Sequence, residues 1–285
     1  MFLYKNILFH WLLFFIVSFA SLFFFKDKVF EVESDLLVLE SGNEYGIYNF
    51  KKHSIPSNGW ITGVEFEISG APKERVHHAI LVNNSRRDRA CPNFFPDRLH
   101  ATAKEFTPLY LPAGFGYYMK QKEQLGTYIH LYNTTKEEYK NIKIKAKIHF
   151  QPESLIRRLR FAHPIWVDVK KCEWDTSVYI PPKTTETLTL TYPDTVPSNA
   201  RLLYAWGHLH NYGKNLKLKV GDVEINYIPE SVDGVIKKIN FFSDIDNQNF
   251  KVYGGQKIEI EGLYENPLDK EIDAMASSII YLNYQ

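Results

Sequence analysis

The sequence predicts an all-β chain with two domains. Aromatic residues make up 15% of the 285 residues, and the apolar stretches are short and rich in Val, Ile, Tyr and Thr, which favours pleated sheets. After the N-terminus, no segment has the length and 3.6-residue period of a long helix. About 260 residues remain beyond an apolar N-terminal segment, which is enough for two ordinary β domains.

The apolar N-terminal segment is the first element. Nineteen residues, 7–25, carry no formal charge and lie between Lys5 and Lys26. This length spans a bilayer, so residues 1–28 are expected to be a signal anchor. A signal peptide cleaved after Ala20 is the alternative. In either case the remainder is expected to be exported, as a membrane-anchored periplasmic, lumenal or extracellular part or as a secreted protein.

The predicted domains cover residues 29–175 and 176–285, separated by the proline- and threonine-rich stretch at 175–200. The formal net charge is +1, with 34 basic and 33 acidic residues, so no nucleic-acid partner is expected. The two cysteines, Cys91 and Cys172, are not in a CxxC motif, which excludes a sulfur-only metal site. The sequence is compatible both with a disulfide between them and with two buried free thiols.

Several stretches predict strands by their alternation, and residues 83–108 are polar and predict an irregular connection. In "GTYIHLYN", Tyr128, His130 and Tyr132 share one face. In "NIKIKAKIHF", the apolar side chains face inward and His149 faces water with the lysines. The predicted strands also include residues 43–50, residues 60–68 and "RVHHAILV".

Histidines are the candidate functional residues. Five of the ten have ordinary interpretations, as part of the anchor, of turns or loops, or of a solvent face: His10, His53, His100, His149 and His163. The other five lie within predicted strands: His77, His78, His130, His208 and His210.

The spacing of these five suggests metal ligands. Residues i and i+2 of a strand share a face, so His208 and His210 can direct two imidazoles at one ion. The adjacent His77 and His78 point to opposite faces of a regular strand. If both bind one ion, the strand must end or bulge there, or one ring must coordinate through Nδ1. Imidazole suits Zn, Cu, Fe and Ni alike. Met275, by itself a typical core side chain, would add a thioether that favours Cu(I).

Four motifs in this order resemble the copper type II ascorbate-dependent monooxygenases, the family of dopamine β-hydroxylase and peptidylglycine α-hydroxylating monooxygenase. They are "VHHAILV", "LPAGFG" followed by "YIHLYN", "HLHNYGK" and "DAMASSIIYLNY". The resemblance covers roughly residues 43–285. It implies two consecutive antiparallel, jelly-roll-like β-sandwich domains, each contributing one copper site to a solvent-filled cleft.

The resemblance also implies roles for the ligands. His77, His78 and His130 would hold an electron-transfer copper, while His208, His210 and Met275 would hold the catalytic copper that binds O2. The cofactors would be two copper ions per chain, with ascorbate or a similar reductant as electron donor. The chain would then be an oxidoreductase that hydroxylates a C–H bond of a small-molecule substrate.

The sequence departs from the peptide-amidating branch at Trp206 and Ile279, which replace its substrate-binding Arg and Tyr. These two residues suggest an apolar or aromatic substrate, or simply packing. Two alternatives remain open: a membrane-anchored copper-binding protein without turnover, and a β-sandwich adhesion or carbohydrate-binding module with incidental histidines.

Overall fold

The computed structural model describes residues 28–154, 158–173, 178–192, 196–244 and 248–285, with the backbone alone described for 45–52. The predicted anchor at residues 7–25 lies outside these ranges. Within them, none of the helical structure is long and apolar enough to cross a bilayer. The described chain is almost entirely β-strand, with a short 3-10 helix at Lys73–Arg75. The all-β prediction is confirmed.

Strands β1 to β11 come first along the chain and pair only with one another among the described residues. We call them the N-terminal sheets. They are β1 (Lys28–Glu33), β2 (Leu37–Leu39), β3 (Glu44–Ser54), β4 (Gly59–Ser69), β5 (Val76–Arg87), β6 (Pro96–Thr102), β7 (Leu109–Tyr110), β8 (Phe115–Met119), β9 (Gln124–Tyr132), β10 (Tyr139–Pro152) and β11 (Arg160–Phe161).

Strands β12 to β24 form the C-terminal sheets. They are β12 (His163–Asp168), β13 (Val178–Ile180), β14 (Thr185–Thr191), β15 (Ala200–Leu209), β16 (Gly213–Val220), β17 (Val223–Tyr227), β18 (Glu230–Val232), β19 (Val235–Lys238), β20 (Phe241–Ser243), β21 (Lys251–Val252), β22 (Ile258–Glu265), β23 (Ile272–Ala274) and β24 (Ala276–Tyr284).

The N-terminal sheets are a seven-stranded sheet, in the order β1-β10-β4-β8-β11 with β2 on β10 and β7 on β4, and a four-stranded sheet, β3-β9-β5-β6. The C-terminal sheets comprise β12-β24-β15-β20 with β21 on β15, β14-β22-β16-β17, and the pairs β13-β23 and β18-β19. The pairings are antiparallel except for β11 on β8. Two consecutive groups of antiparallel sheets confirm the predicted β-sandwich fold. The predicted domain bounds at 175 and 176 stay a prediction.

Strand alternation places the core as the sequence predicts. Along β10, the side chains of Ile142, Ile144, Ala146, Ile148 and Phe150 are fully buried, while the lysines between them are partly exposed. Cross-strand polar contacts cover the outer face, including the ion pair of Lys145 with Glu31 on β1 and the hydrogen bond between His149 and Glu65 on β4. His149 is therefore the solvent-face residue that the pattern indicates.

The predicted irregular stretch at 83–108 instead contains β6. Its polar residues are buried in pairs: Arg98 donates to Asp88 at 2.8 Å, and the Tyr117 hydroxyl donates to Asp97 at 2.6 Å. His100, predicted in a loop, is fully buried on this strand and bonds the Thr107 carbonyl. The polar residues made this buried strand resemble a surface loop in the sequence. In the structure their polar groups bond one another instead of facing water.

The two groups of sheets meet along a seam. Cys91, before β6, forms a disulfide with Cys172, after β12, so the disulfide alternative is confirmed. The Arg98 guanidinium on β6 lies 4.6 Å from the ring of Trp166 on β12. Buried side chains from both groups belong to one hydrophobic core. This seam fixes which ends of β5, β9 and β15 face one another.

Candidate metal centre

His77 and His78 start β5 at a β-bulge. The register of β5 against β9 shifts between Val76 and His78. This shift breaks the strict alternation of side chains. The two imidazole rings consequently stack on the same side, with centroids 4.2 Å apart and planes 26° apart. The bulge that the adjacent histidines require is therefore present.

His130 reaches the same place from β9. It lies in register with His78 across the two strands, and its Nδ1 lies 2.9 Å from Nδ1 of His77. The alternation of β9 buries Ile129 and Leu131 and leaves His130 half-buried on the opposite face. The first three predicted ligands thus converge.

His208 and His210 come from the end of β15. His208 is in the strand, His210 follows its last residue, and their ring centroids are 5.3 Å apart. The Tyr264 hydroxyl on β22 fixes this end, because it accepts a hydrogen bond from the backbone N–H of His210 and donates one to the Met275 carbonyl. Both imidazoles are almost completely buried.

The two histidine groups contact each other directly across the seam. Nε2 of His77 lies 2.9 Å from Nε2 of His210, and Nε2 of His78 lies 3.0 Å from Nε2 of His208. The structure therefore gathers His77, His78, His130, His208 and His210 into one histidine cluster. The resemblance implied two sites separated by a solvent-filled cleft, whereas here no gap divides the rings.

Met275 lies beside this cluster at the start of β24. Its carbonyl accepts a hydrogen bond from the His210 backbone N–H at 3.4 Å, which continues the pairing of His208 with Ser277 on the same two strands. The side chain is buried, with 4% exposure. The backbone thus places Met275 next to His210, as the proposed ligand role requires.

Two carboxylates join the cluster that the sequence did not indicate. Glu44, the first residue of β3, places Oε1 2.8 Å from Nε2 of His130. Asp273 on β23 places Oδ2 2.8 Å from Nδ1 of His210. Asp273 has a weak signal in the sequence, since it lies two residues before Met275. Glu44 has none, because nothing local relates it to a histidine 86 positions away.

Burial keeps four imidazoles of the cluster neutral, those of His77, His78, His130 and His208. Desolvation, followed by repulsion from the neighbouring imidazoles, lowers the pKa of His77 to about 2 and holds the pKa values of His78 and His208 well below their ordinary range. Burial also lowers the pKa of His130, against the opposing pull of Glu44. Their imidazoles are therefore neutral at pH 7, and neutral imidazole is the form that binds metal.

Neutral rings alone cannot give every ring nitrogen of the cluster a hydrogen-bond partner. A chain of four contacts runs from Asp273 through His210, His77 and His130 to Glu44. If all three rings are neutral, they supply three N–H donors for these four contacts. In addition, Nδ1 of the buried His208 has no protein partner among the described residues. A cation that accepts nitrogen lone pairs would resolve both deficits.

The spacing of the nitrogens fits such a cation. Two ligands about 2.0 to 2.1 Å from one tetrahedral ion lie about 3.3 Å apart, close to the observed 2.9 and 3.0 Å contacts. Two sets of ligand atoms are each compact enough for one ion. They are His77, His78 and His210, and Glu44, His77 and His130.

A cleft of about 600 Å³ opens onto the cluster. Glu44, His77, His208, His210 and Asp273 line it together with residues of both groups of sheets. The cleft gives an ion a route from solvent to otherwise buried nitrogens.

Trp206 and Ile279, the two departures at the expected substrate site, are packing residues. They are 1% and 0% exposed and face each other across β15 and β24. Neither residue lines the cleft described above. They therefore give no support to an apolar or aromatic substrate.

Comparison with known proteins gives no family for this chain. No family model matches it, and no curated protein does. Among solved structures, the chain is similar to the major capsid protein P2 of bacteriophage PM2, with 7% identity, 90% of this chain and 98% of that chain covered, and a TM-score of 0.39. A structure from Sulfolobus Turreted Icosahedral Virus gives 10% identity, 90% and 91% coverage, and a TM-score of 0.43.

A third similar structure is the PBSX exported protein XepA, with 8% identity, 89% of this chain and 86% of that chain covered, and a TM-score of 0.25. At these identities and TM-scores the three similarities carry no argument about what the chain does.

The predicted membership of the copper monooxygenase family is wrong, since no family model and no curated protein matches the chain. The predicted oxidoreductase activity, the hydroxylation of a C–H bond, is therefore also wrong. The predicted partners, a small-molecule substrate, O2 and a membrane, are wrong as well. The physical reason is that the four motifs are short and describe local geometry: a bulged strand, a tight turn, an HxH strand end and a strand start. These features can build a metal site without specifying a reaction.

Proposed function

We propose that this chain is a metal-binding protein whose histidine cluster holds a late first-row transition metal ion across the seam between its two groups of sheets. One observation carries the proposal: the imidazoles of His77 and His78, from the N-terminal sheets, meet those of His208 and His210, from the C-terminal sheets, at 2.9 and 3.0 Å. An ion there would be bound by both groups and would stabilise their contact.

Copper is the metal we expect to bind most strongly. Neutral imidazoles are borderline-soft ligands, and the affinity of a nitrogen site for divalent first-row metals rises to a maximum at Cu(II). The ligands here are imidazoles with two flanking carboxylates, and the two cysteines are joined in a disulfide away from the cluster. Thiolate ligation is thereby excluded within the site.

Asp273 supports this assignment of ligand atoms. Its carboxylate accepts from Nδ1 of His210 at 2.8 Å, so the Nε2 lone pair of His210 faces the other rings. A carboxylate or carbonyl on the second ring nitrogen is the usual partner of a metal-bound histidine, because it fixes the tautomer and strengthens the ligand.

We further propose that the Met275 thioether is a ligand on the His210 side. The supporting observation is the backbone bond from His210 to Met275. A thioether ligand favours Cu(I) over Cu(II), so this part of the proposal predicts a preference for the reduced ion.

The experiment is a metal-binding titration of the purified chain. Cu(II) and Zn(II) are added separately, weakly bound metal is removed by dialysis, and the metal per chain and the thermal unfolding temperature are measured. We expect retained metal and a raised unfolding temperature, because an ion that binds only the folded state stabilises it.

Two variants complete that titration. His210→Ala should lose most of the retained metal, while His149→Ala removes a histidine from the outer face of β10 and should retain as much as the wild type. Equal metal retention by His210→Ala and the wild type would refute the proposal.

A further inference from the structure

His77 is the only residue that belongs to both compact ligand sets among the described residues. Its two ring nitrogens are used separately: Nδ1 lies 2.9 Å from His130, and Nε2 lies 2.9 Å from His210. The ring is also centred between these partners, since both centroid distances are 4.6 Å. Each nitrogen therefore faces a different set of ligands.

The two sets have different surroundings. Glu44 has 63% of its side chain exposed and His130 has 20%, so the set with His130 is the more exposed of the two. The set with His78 and His210 lies deeper, with His210 only 8% exposed. The outer set brings its own negative charge through Glu44. The inner set has a negative carboxylate behind His210, at Asp273.

Geometry allows both sets to be filled at once. The two nitrogens of an imidazole point away from each other, so ions bound about 2 Å from each would lie about 6 Å apart on opposite sides of the ring. The two ions would then share the His77 ring but bind to different nitrogens of it.

We propose that His77 bridges two metal ions, an inner ion held with His78 and His210 and an outer ion held with His130 and Glu44. This inference rests on the proposed metal-binding function and assigns Glu44 as a ligand. A neutral imidazole carries one ring proton, so the second ion takes the place of that proton. The proton leaves to solvent, and neither ion changes oxidation state.

The test uses Cu(II), because two Cu(II) ions joined by one imidazole ring are magnetically coupled and lose paramagnetic signal. The full chain is titrated with Cu(II), bound copper is counted, and electron paramagnetic resonance intensity is measured at each step. We expect one ion with full signal, then a second ion whose binding lowers the intensity per copper. Calorimetry in two buffers of different ionisation enthalpy should show additional proton release with the second ion.

Glu44→Gln is the diagnostic variant, and Glu40→Gln is its matched control. Glu40 lies four residues before Glu44, and its carboxylate accepts a hydrogen bond from the side-chain amide of Asn43. Glu44→Gln should bind one copper with full signal and an inner-site affinity within about twofold of the wild type. Glu40→Gln should bind two coupled ions.

The experiment distinguishes failure of the His77 bridge from failure of the proposed metal-binding function. If two ions bind with additive signals, or if only one ion binds and Glu44→Gln has no effect, the bridge is wrong while the metal-binding function stands. If the wild type retains no copper at all, the proposed function itself fails.

Discussion

Cys91 and Cys172 are joined by a disulfide that ties the N-terminal sheets to the segment directly after β12. Cys91 is 1% exposed, and the two Cα atoms are 5.4 Å apart. The cross-link closes a loop between residues 81 positions apart. A long closed loop removes many conformations from the unfolded chain, which stabilises the folded state.

The first prediction concerns this cross-link. Replacing both cysteines by serine should lower the free energy of unfolding by about 2 to 4 kcal/mol. Urea unfolding monitored by circular dichroism measures the loss. Wild-type protein treated with a dithiol reductant is the control and should match the double variant. Identical urea midpoints for oxidised wild type and double variant would contradict the prediction.

Asp168 should make stability depend on pH. Burial raises its pKa from 3.8 to about 7, with Arg98 opposing the shift. The folded protein then holds a proton that the unfolded chain has already released, so stability falls as pH rises from about 4 to about 7 and stays low above it. Asp168→Asn keeps the oxygen that accepts from Lys170 and cannot ionise.

At pH 8 this variant should therefore be more stable than the wild type by roughly 2 to 4 kcal/mol, with a smaller difference at pH 5 that approaches zero towards about pH 4. Urea midpoints across this pH range provide the measurement. Asp269→Asn, at a side chain with 94% exposure, should follow the wild type. A constant difference between Asp168→Asn and the wild type from pH 5 to pH 8 would show that Asp168 is not the titrating group.

Asp273 should tune metal affinity without being a ligand. Asp273→Asn weakens the hydrogen bond to Nδ1 of His210, and loss of such a partner typically costs about 10- to 100-fold in affinity. Competition with a chelator of known affinity measures the change. Asp222→Asn changes a carboxylate that bonds Gln256 and serves as the control. A metal affinity in Asp273→Asn equal to that of the wild type would contradict this role of Asp273.

Tyr264 should link the sheet end to the cluster. Its fully buried hydroxyl bonds the backbone of both His210 and Met275. Tyr264→Phe removes these hydrogen bonds and leaves the His210 N–H with its long 3.4 Å bond to the Met275 carbonyl. The variant should lose about 1 to 3 kcal/mol in unfolding free energy, along with some metal affinity. Tyr253→Phe, at a half-exposed ring, is the matched control. Unchanged metal affinity in a destabilised Tyr264→Phe would mean that the hydroxyl holds only the fold.

Met275 should affect the oxidation state that the site prefers. Met275→Ile retains a similar apolar volume, so the fold should persist. Cu(I) affinity should fall while Cu(II) affinity changes little. Separate competition titrations under reducing and oxidising conditions test this, with Met119→Ile, a fully buried methionine on β8, as control. Equal effects on both oxidation states would exclude a thioether ligand.

Much of the local structure could be predicted from the sequence. The alternation in β9 and β10 correctly assigned each face, and a bulge at the adjacent His77 and His78 was one of the arrangements expected from the sequence. Such features depend on backbone geometry over a few residues, so the sequence of a single strand is enough to predict them. The buried strand β6 was missed because its charges are paired by Asp88 and Tyr117, which alternation within the strand does not reveal.

The sequence by itself determined the all-β fold, the strand faces and the five strand histidines that we propose as metal ligands. Only the tertiary structure decided that His77 meets His210, 133 positions away, that Glu44 and Asp273 complete the cluster, and that Trp206 is packing. Contacts between distant strands depend on how whole sheets pack along a seam, and no short motif encodes that packing. For the same reason four motifs in the expected order located histidines that the fold brings together and still assigned the chain to the wrong family.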